Sequence, residues 1–169
     1  MQKRRSRSAG DSDCKADGAR KDQTGEAGMN EEEKLQKIRE LLNTEDRFCL
    51  YNGIQITTMA PGYAEAEMAI TEHSLNGVGI VQGGAIFTLA DLAFAGAANS
   101  RGVRVVGMSS NVSYLRPGSG ERLKAVAREV SRGRRTCVYQ IEVFNSEEKL
   151  VALITSTGFV SEQSVLPGA

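Results

Sequence analysis

The chain has 169 residues, a length that suits one domain with a sizeable hydrophobic core. Hydrophobic residues make up 40% and charged residues 25%, as in ordinary globular proteins, and the formal net charge is zero, so no global charge favours a nucleic acid or an anionic membrane as partner. The three cysteines, Cys14, Cys49 and Cys137, are too widely spaced for a disulfide framework or a metal site, and they predict a reducing, cytoplasmic compartment.

The N-terminal segment, residues 1–28, contains no Val, Ile, Leu, Phe or Tyr, so it cannot bury enough apolar surface to offset its ordering entropy. We therefore predict a disordered extension over residues 1–28 and a single folded domain over residues 29–165. The extension lacks the apolar stretch of a secretory signal, and its acidic residues are unlike a mitochondrial presequence. No apolar run reaches the ~20 residues that span a bilayer, so no membrane partner is expected.

The first predicted element is a helix over NEEEKLQKIRELLN. Asn30 can cap its start, and Glu33 completes a capping box. After it, from about residue 47, the period changes to that of strands. The segments FCLYNGIQITTM and GYAEAEMAI predict two strands joined by a turn at PG.

A long helix is predicted over residues 83–100, ending near Gly102 as a C-cap. Four strands follow, in VRVVGMSSNVSYL, ERLKAVAREV, RRTCVYQIEVF and KLVALITSTGFV, separated by the turn sequences RPGSG, SRG and NSEE. Short turns between consecutive strands favour an antiparallel sheet. The helix is apolar nearly all round and must be covered on most sides, so we predict an α+β fold in which a curved antiparallel sheet wraps around one central helix.

The segments that follow the second strand closely resemble the PaaI-type hotdog-fold thioesterases. They are LNGVGIVQGGAIFTLADLAFAGAANSRG, YLRPG, RGRRTCVYQIEVFN and VALITSTG, and the likeness spans roughly residues 50–160. The family pattern is Asn-Gly, then His-Gly-Gly, then Leu-Ala-Asp on the central helix. The resemblance implies hydrolysis of acyl-CoA thioesters at sites between two subunits, in a dimer or a dimer of dimers. It implies no metal and no cofactor, since coenzyme A is part of the substrate.

Asp91 is the sharpest candidate residue, because a carboxylate in an apolar helix is costly to bury unless something pairs or uses it. The alternative explanation is that Asp91 points into a wet crevice or caps a neighbouring strand. By resemblance Asp91 is the catalytic carboxylate, acting as general base or nucleophile. Gly83 and Gly84 open the helix, where free N–H groups can hold an oxyanion. Close packing of the helix against a strand is the other explanation for this glycine pair.

Gln82 stands where the family has histidine, and glutamine donates and accepts hydrogen bonds but does not titrate. This substitution argues against a hotdog dehydratase. A thiolate leaving group needs little protonation, so hydrolysis of a thioester can survive it. The single histidine, His73, is expected on the surface or in a loop. Asn76 is a candidate for orienting water or the acyl carbonyl, although Asn-Gly is equally a turn dipeptide.

The candidate substrate-binding residues are Gly84, Ser109, Arg116 and Arg134. Arginines suit the phosphates of coenzyme A, although such clusters are often solvated loop charges. Ser109 is a candidate contact for the catalytic carboxylate. The side chains of Phe87, Phe94, Met108 and Tyr114 fit either an acyl pocket or the ordinary core.

The spacing of Gly83 and Asp91 carries a prediction of its own. Eight residues on one helix span about 12 Å, whereas a general base must come within about 3 Å of the proton that it removes. An antiparallel second copy of the helix would bring its own Asp91 to this Gly83. The spacing thus predicts an obligate dimer with two composite sites. The activity that the resemblance implies is that of an acyl-CoA thioesterase, with a non-catalytic acyl-CoA-binding or regulatory module as the alternative.

Overall fold

The computed structural model describes residues 28–168, so the predicted disordered extension lies outside the described residues except for Gly28. The elements, in chain order, are α1 (Glu31–Glu45), α2 (Arg47–Tyr51), β1 (Ile54–Ala60), β2 (Tyr63–Ala69), a 3₁₀ turn (Glu72–Ser74), α3 (Gly83–Asn99), β3 (Val103–Tyr114), β4 (Arg122–Arg132), β5 (Thr136–Asn145) and β6 (Leu150–Ser164).

All six strands form one antiparallel sheet in the order β1-β2-β4-β5-β6-β3. Helix α3 contacts every one of them, which requires the sheet to curve around the helix. The predicted α+β architecture is therefore confirmed. It follows from short turns, which force antiparallel neighbours, and from an apolar helix that must be covered.

The core lies between α3 and the concave face of the sheet. Leu89, Leu92 and Phe94 are buried on the helix side, and the ring of Phe94 meets that of Tyr139 edge-on at 5.4 Å between centroids. The alternation predicted for β5 is confirmed, since its inward residues Cys137, Tyr139, Ile141 and Val143 are all buried. Burial of this kind contributes about 1.5–3 kcal/mol for each large apolar side chain.

The predicted capping box is confirmed at α1. Asn30 accepts a hydrogen bond from the Glu33 N–H at 2.8 Å, and the Glu33 carboxylate accepts one from the Asn30 N–H at 3.3 Å. The predicted end of the long helix is also confirmed. Gly102 has a φ of 82°, which favours glycine, and its N–H donates to the carbonyl of Asn99 at 2.8 Å.

The strand predicted from about residue 47 is wrong over its first part. Residues 47–51 form the short helix α2, and β1 starts only at Ile54. The apolar run FCLY suits a buried strand and a buried helical turn equally well. The capping side chain of Asp46 decides the outcome, because it accepts a hydrogen bond from the Cys49 N–H at 2.9 Å.

The two edge strands of the sheet differ in whether another part of the chain forms hydrogen bonds with their outer side. At β1 the amide of Asn43 in α1 takes the place of a neighbouring strand, donating to the Ile56 carbonyl at 3.0 Å and accepting from the Ile56 N–H at 2.8 Å. At the other edge β3 pairs only with β6, and no part of residues 28–168 covers its outer side. Val106 and Met108, 57% and 60% exposed, project from this uncovered strand.

Candidate active site

Helix α3 begins in an unusual hydrogen-bond arrangement. Gln82 is its N-cap, and the side-chain oxygen of Gln82 accepts a hydrogen bond from the Gly84 N–H. The backbone carbonyl of Gln82 accepts from Ala85 and Ile86 at 3.0 and 3.2 Å. The Gly83 N–H, in contrast, has no hydrogen-bond partner within residues 28–168. One backbone donor therefore remains available at the positive end of the helix dipole.

The two glycines at the start of α3 have close neighbours. A Cβ on Gly84 would lie 2.8 Å from the side-chain oxygen of Gln82, and one on Gly83 would lie 3.2 Å from the hydroxyl and ring of Tyr114. The Tyr114 hydroxyl also donates to the carbonyl of Gly83 at 2.9 Å. Both explanations offered for the glycine pair thus have structural support: close packing and an exposed N–H coexist.

Asp91 is exposed in the single subunit, so its interpretation as a buried carboxylate is wrong at this level. Helix α3 turns ten residues toward the core but leaves a face that includes Gly84 and Asp91, two turns apart, open to solvent. Partial desolvation by the surrounding protein still raises the pKa of Asp91, and the negative charge of Asp46 raises it further. The carboxyl group has no hydrogen-bond partner or ion pair among the described residues.

The thiol of Cys49 lies close enough to Asp91 for the charge of that carboxylate to affect its pKa. Burial, together with the charges of Asp46 and Asp91, raises the pKa of its thiol to about 12. The thiol is therefore protonated at neutral pH and is not a candidate nucleophile.

Asn76 has turn contacts. Its side-chain oxygen accepts hydrogen bonds from the N–H groups of Val78 and Ile80 at 3.0 and 3.2 Å, and its own N–H donates to the Ile80 carbonyl at 2.8 Å. These bonds shape the loop that leads into α3, as an Asn-Gly turn would. The side chain also lines a small cavity with Gly83 and Arg116, which keeps it beside the start of the helix.

Two cavities flank the start of α3. The smaller, of ≈ 330 Å³, is bounded by the loop that contains Asn76, the start of α3 and the segment after β3. The larger, of ≈ 890 Å³, lies between α2 and the exposed face of α3, with Phe48 and Tyr51 on one wall and Gly84 and Thr88 on the other. His73 stands at the rim of the larger cavity and is exposed, as the sequence predicts. The sequence analysis did not predict that Phe48 and Tyr51 line this cavity, because it assigned their segment to a strand and not to a helix.

The predicted substrate-binding residues do not come together in one subunit. Arg116 lines the smaller cavity and donates to the Leu150 carbonyl at 2.7 Å. Arg134 is exposed in the β4–β5 turn, next to Arg132, which donates to the Ala98 carbonyl at the far end of α3. The ends of this 17-residue helix are about 24 Å apart. Ser109 is exposed on β3 and has no hydrogen bond to Asp91.

No group of three or more His, Cys, Asp or Glu side chains suited to holding a metal ion occurs within residues 28–168. In the same part of the chain, no helix is long and apolar enough to cross a membrane.

Comparison with known proteins agrees with this architecture. A model of the thioesterase superfamily matches residues 78–152. The acyl-coenzyme A thioesterase PaaI of Escherichia coli is 43% identical over 102 residues, which cover 60% of this chain and 73% of that protein.

Solved structures give the same result. The Escherichia coli PaaI protein from the phenylacetic acid degradation operon superimposes with a TM-score of 0.74 and 34% identity, covering 78% of this chain and 96% of that one. A hypothetical thioesterase protein from Streptococcus pneumoniae, solved with coenzyme A, has a TM-score of 0.63 and 31% identity, covering 66% of this chain and 88% of that one. The chain belongs to the thioesterase superfamily and is a thioester hydrolase of the PaaI type with the hotdog fold.

Proposed function

We propose that this thioesterase hydrolyses acyl-CoA thioesters, with the Gly83 N–H as oxyanion donor and Asp91 as general base or nucleophile. The observation that carries the proposal is the unpartnered Gly83 N–H at the start of α3, a helix whose exposed face also presents Asp91. Attack on a thioester carbonyl builds negative charge on its oxygen, and a fixed N–H at a helix start stabilises that charge. Gln82 then acts by capping the helix rather than by titrating, and Asn76 shapes the loop beside the reacting carbonyl.

The working site is formed by two subunits. Gly83 and Asp91 of one chain lie about 12 Å apart along α3, too far for one to hold a carbonyl that the other attacks. Pairing of two β3 edges about a two-fold axis would continue the sheet and set two α3 helices antiparallel. Each Gly83 would then face Asp91 of the other chain. The uncovered edge of β3 and its exposed apolar side chains support this assembly.

The two-fold arrangement also accounts for the separated arginines. Antiparallel helices bring the far end of α3 in one chain to the near end in the other, so Arg134 of one subunit would approach Arg116 of its neighbour. Both guanidinium groups suit the phosphates of coenzyme A, the ligand found in the Streptococcus pneumoniae relative. The acyl group then occupies the larger cavity between α2 and α3, whose aromatic wall accepts an arylacetyl or a medium-length aliphatic group.

The test is turnover of phenylacetyl-CoA and medium-chain acyl-CoAs by the purified protein. The wild type should hydrolyse members of this panel, and Asp91→Asn should lower kcat by about 10²–10⁴-fold with little change in KM. Glu147→Gln, which neutralises an exposed carboxylate in the β5–β6 turn, is the control and should have no effect. In a single turnover in heavy-oxygen water, release of unlabelled acid would identify Asp91 as a nucleophile, because the second oxygen of the acid then comes from Asp91 when water opens the acyl anhydride at the aspartyl carbon.

The outcome that would contradict the proposal is binding of acyl-CoA without hydrolysis by the wild type. That result would favour a non-catalytic acyl-CoA-binding or regulatory module, in which the absence of a titrating group at position 82 marks lost turnover.

A further inference from the structure

We infer that Tyr114 is a positioning residue, which together with Gln82 clamps the Gly83–Gly84 peptide group and so fixes the direction of the Gly83 N–H. This inference rests on the proposed function, because it concerns the proposed oxyanion donor.

The hydrogen bonds around Gly83 leave a single donor open. The peptide group between Gly83 and Gly84 is held at both ends: the Tyr114 hydroxyl donates to its carbonyl at 2.9 Å, and its N–H donates to the Gln82 side chain. The carbonyl of the preceding peptide group, that of Gln82, accepts from Ala85 and Ile86. In the described part of the chain, the Gly83 N–H alone is without a partner in these two peptide groups.

Tyr114 is itself firmly held. It is the last residue of β3 and pairs with Ala152 of β6. The next two backbone N–H groups, of Leu115 and Arg116, both donate to the Val151 carbonyl, at 2.8 and 3.1 Å. The hydroxyl of Tyr114 is therefore presented to α3 from the sheet, across 31 residues of sequence.

The ring of Tyr114 also limits the position of the helix start. A Cβ on Gly83 would already be 3.2 Å from the ring and the hydroxyl, so the ring lies directly against the glycine. Contact and hydrogen bond together prevent the first turn from tilting. An oxyanion donor contributes most when its direction is set before charge develops, because no reorganisation is then needed during reaction.

A loosened donor should affect the chemical step more than substrate binding, since the ground-state carbonyl is a weaker acceptor than the oxyanion. We therefore expect Tyr114→Phe to lower kcat by about tenfold while KM changes by less than about twofold. Tyr63→Phe is a matched control, because Tyr63 also donates its hydroxyl to one acceptor, Glu65, far from the start of α3. It should leave kcat unchanged.

The result that overturns the inference is a kcat for Tyr114→Phe within twofold of wild type, or an equal loss in Tyr63→Phe. If Tyr114 had a purely structural role, its loss would lower the melting temperature, and it would raise KM while lowering kcat. Both variants are therefore also compared by thermal unfolding and by mass in solution.

An activity-independent measurement separates this inference from the proposed function. Amide hydrogen exchange at Gly84, whose N–H belongs to the clamped peptide group, should accelerate in Tyr114→Phe and not in Tyr63→Phe. If the wild type hydrolyses no thioester, the proposed function fails. The exchange rate at Gly84 still tests whether Tyr114 holds the Gly83–Gly84 peptide group, because this measurement needs no activity. An unchanged exchange rate at Gly84 in Tyr114→Phe would contradict the inference that Tyr114 holds this peptide group.

Discussion

The charge of Asp46, at the start of α2, acts on Asp91 on the exposed face of α3. Asp46 caps α2, and its charge is the second cause, after burial, that raises the pKa of Asp91. A raised pKa makes a carboxylate a stronger base but leaves less of it ionised in acid. Because folding favours the protonated form of Asp91, the free energy of unfolding should fall as pH rises from the ordinary pKa of an aspartate through the raised one.

The residue-scale prediction is that Asp46→Asn moves the acidic limb of kcat/KM to lower pH. Asparagine keeps the side-chain oxygen that caps α2 but removes the charge, so the pKa of Asp91 should fall. The measurement is a pH–rate profile on the best substrate of the panel. Glu45→Gln is the control, because it removes the neighbouring negative charge, and Glu45 is not among the causes of the raised pKa of Asp91. An acidic limb that stays in place, or one that moves equally in Glu45→Gln, would show that Asp46 does not tune the base.

At the scale of helices and strands, short sequence patterns were enough to predict most of the fold. The capping box at α1, the alternation in β5 and the turn sequences between strands act within a few residues, so the sequence predicts them directly. Helix α2 was missed because the four-residue apolar run FCLY is too short to show a period that distinguishes helix from strand.

The candidate site divides in the same way. Gly83, Asp91 and Gln82 follow from a local motif on one helix. The contact of Tyr114 with Gly83 joins residues on different elements, which only the curvature of the sheet brings together, and no spacing in the sequence encodes it. The exposure of Asp91 was also mispredicted, since an apolar helix composition does not show which face the sheet leaves open.

The uncovered β3 edge leads to the element-scale prediction. Met108→Lys places a charge on the strand that we propose pairs with its symmetry mate, and charged edge strands resist pairing. The variant should be monomeric by light scattering, and its kcat should fall with the dimer fraction. Val130→Lys is the matched control, because Val130 is 62% exposed but lies on β4 inside the sheet. A Met108→Lys protein that remains a dimer would place the interface elsewhere, and an active monomer would refute the shared site.

For the whole molecule, the two ends of α3 have opposite characters. The far end is held by a partly buried network: buried Tyr139 donates to Glu129 at 2.7 Å, and the more exposed Arg101 forms an ion pair with the same carboxylate. Burial alone would raise the pKa of Glu129, but the hydrogen bonds from Tyr139 and Arg101 and the nearby arginine charges outweigh it and lower that pKa. The near end exposes Gly83 and its free N–H. Helix α3 thus has one end that is fixed by side-chain hydrogen bonds and one end with a free donor. An antiparallel copy of the helix would place the fixed end of one chain beside the free donor of the other.

The prediction at this scale is complementation between two inactive chains. Gly83→Pro removes the proposed donor while suiting the first helical position, since Gln82 is already extended at φ −64° and ψ 134°. Gly83→Ala has the same Cβ, 3.2 Å from Tyr114, but keeps the N–H. Co-expressed with Asp91→Asn, Gly83→Pro chains should recover about a quarter of wild-type activity, because half of randomly assorted dimers are mixed and each holds one intact site.

The mixed dimers are isolated with two different affinity tags and assayed beside each parent. Gly83→Ala alone should retain much more activity than Gly83→Pro, which separates loss of the N–H from crowding of Tyr114. Mixed dimers no more active than the two parents would mean that both groups act within one chain. That result is physically hard to reconcile with about 12 Å of helix between them, and it would force another residue into the place of Gly83 or Asp91.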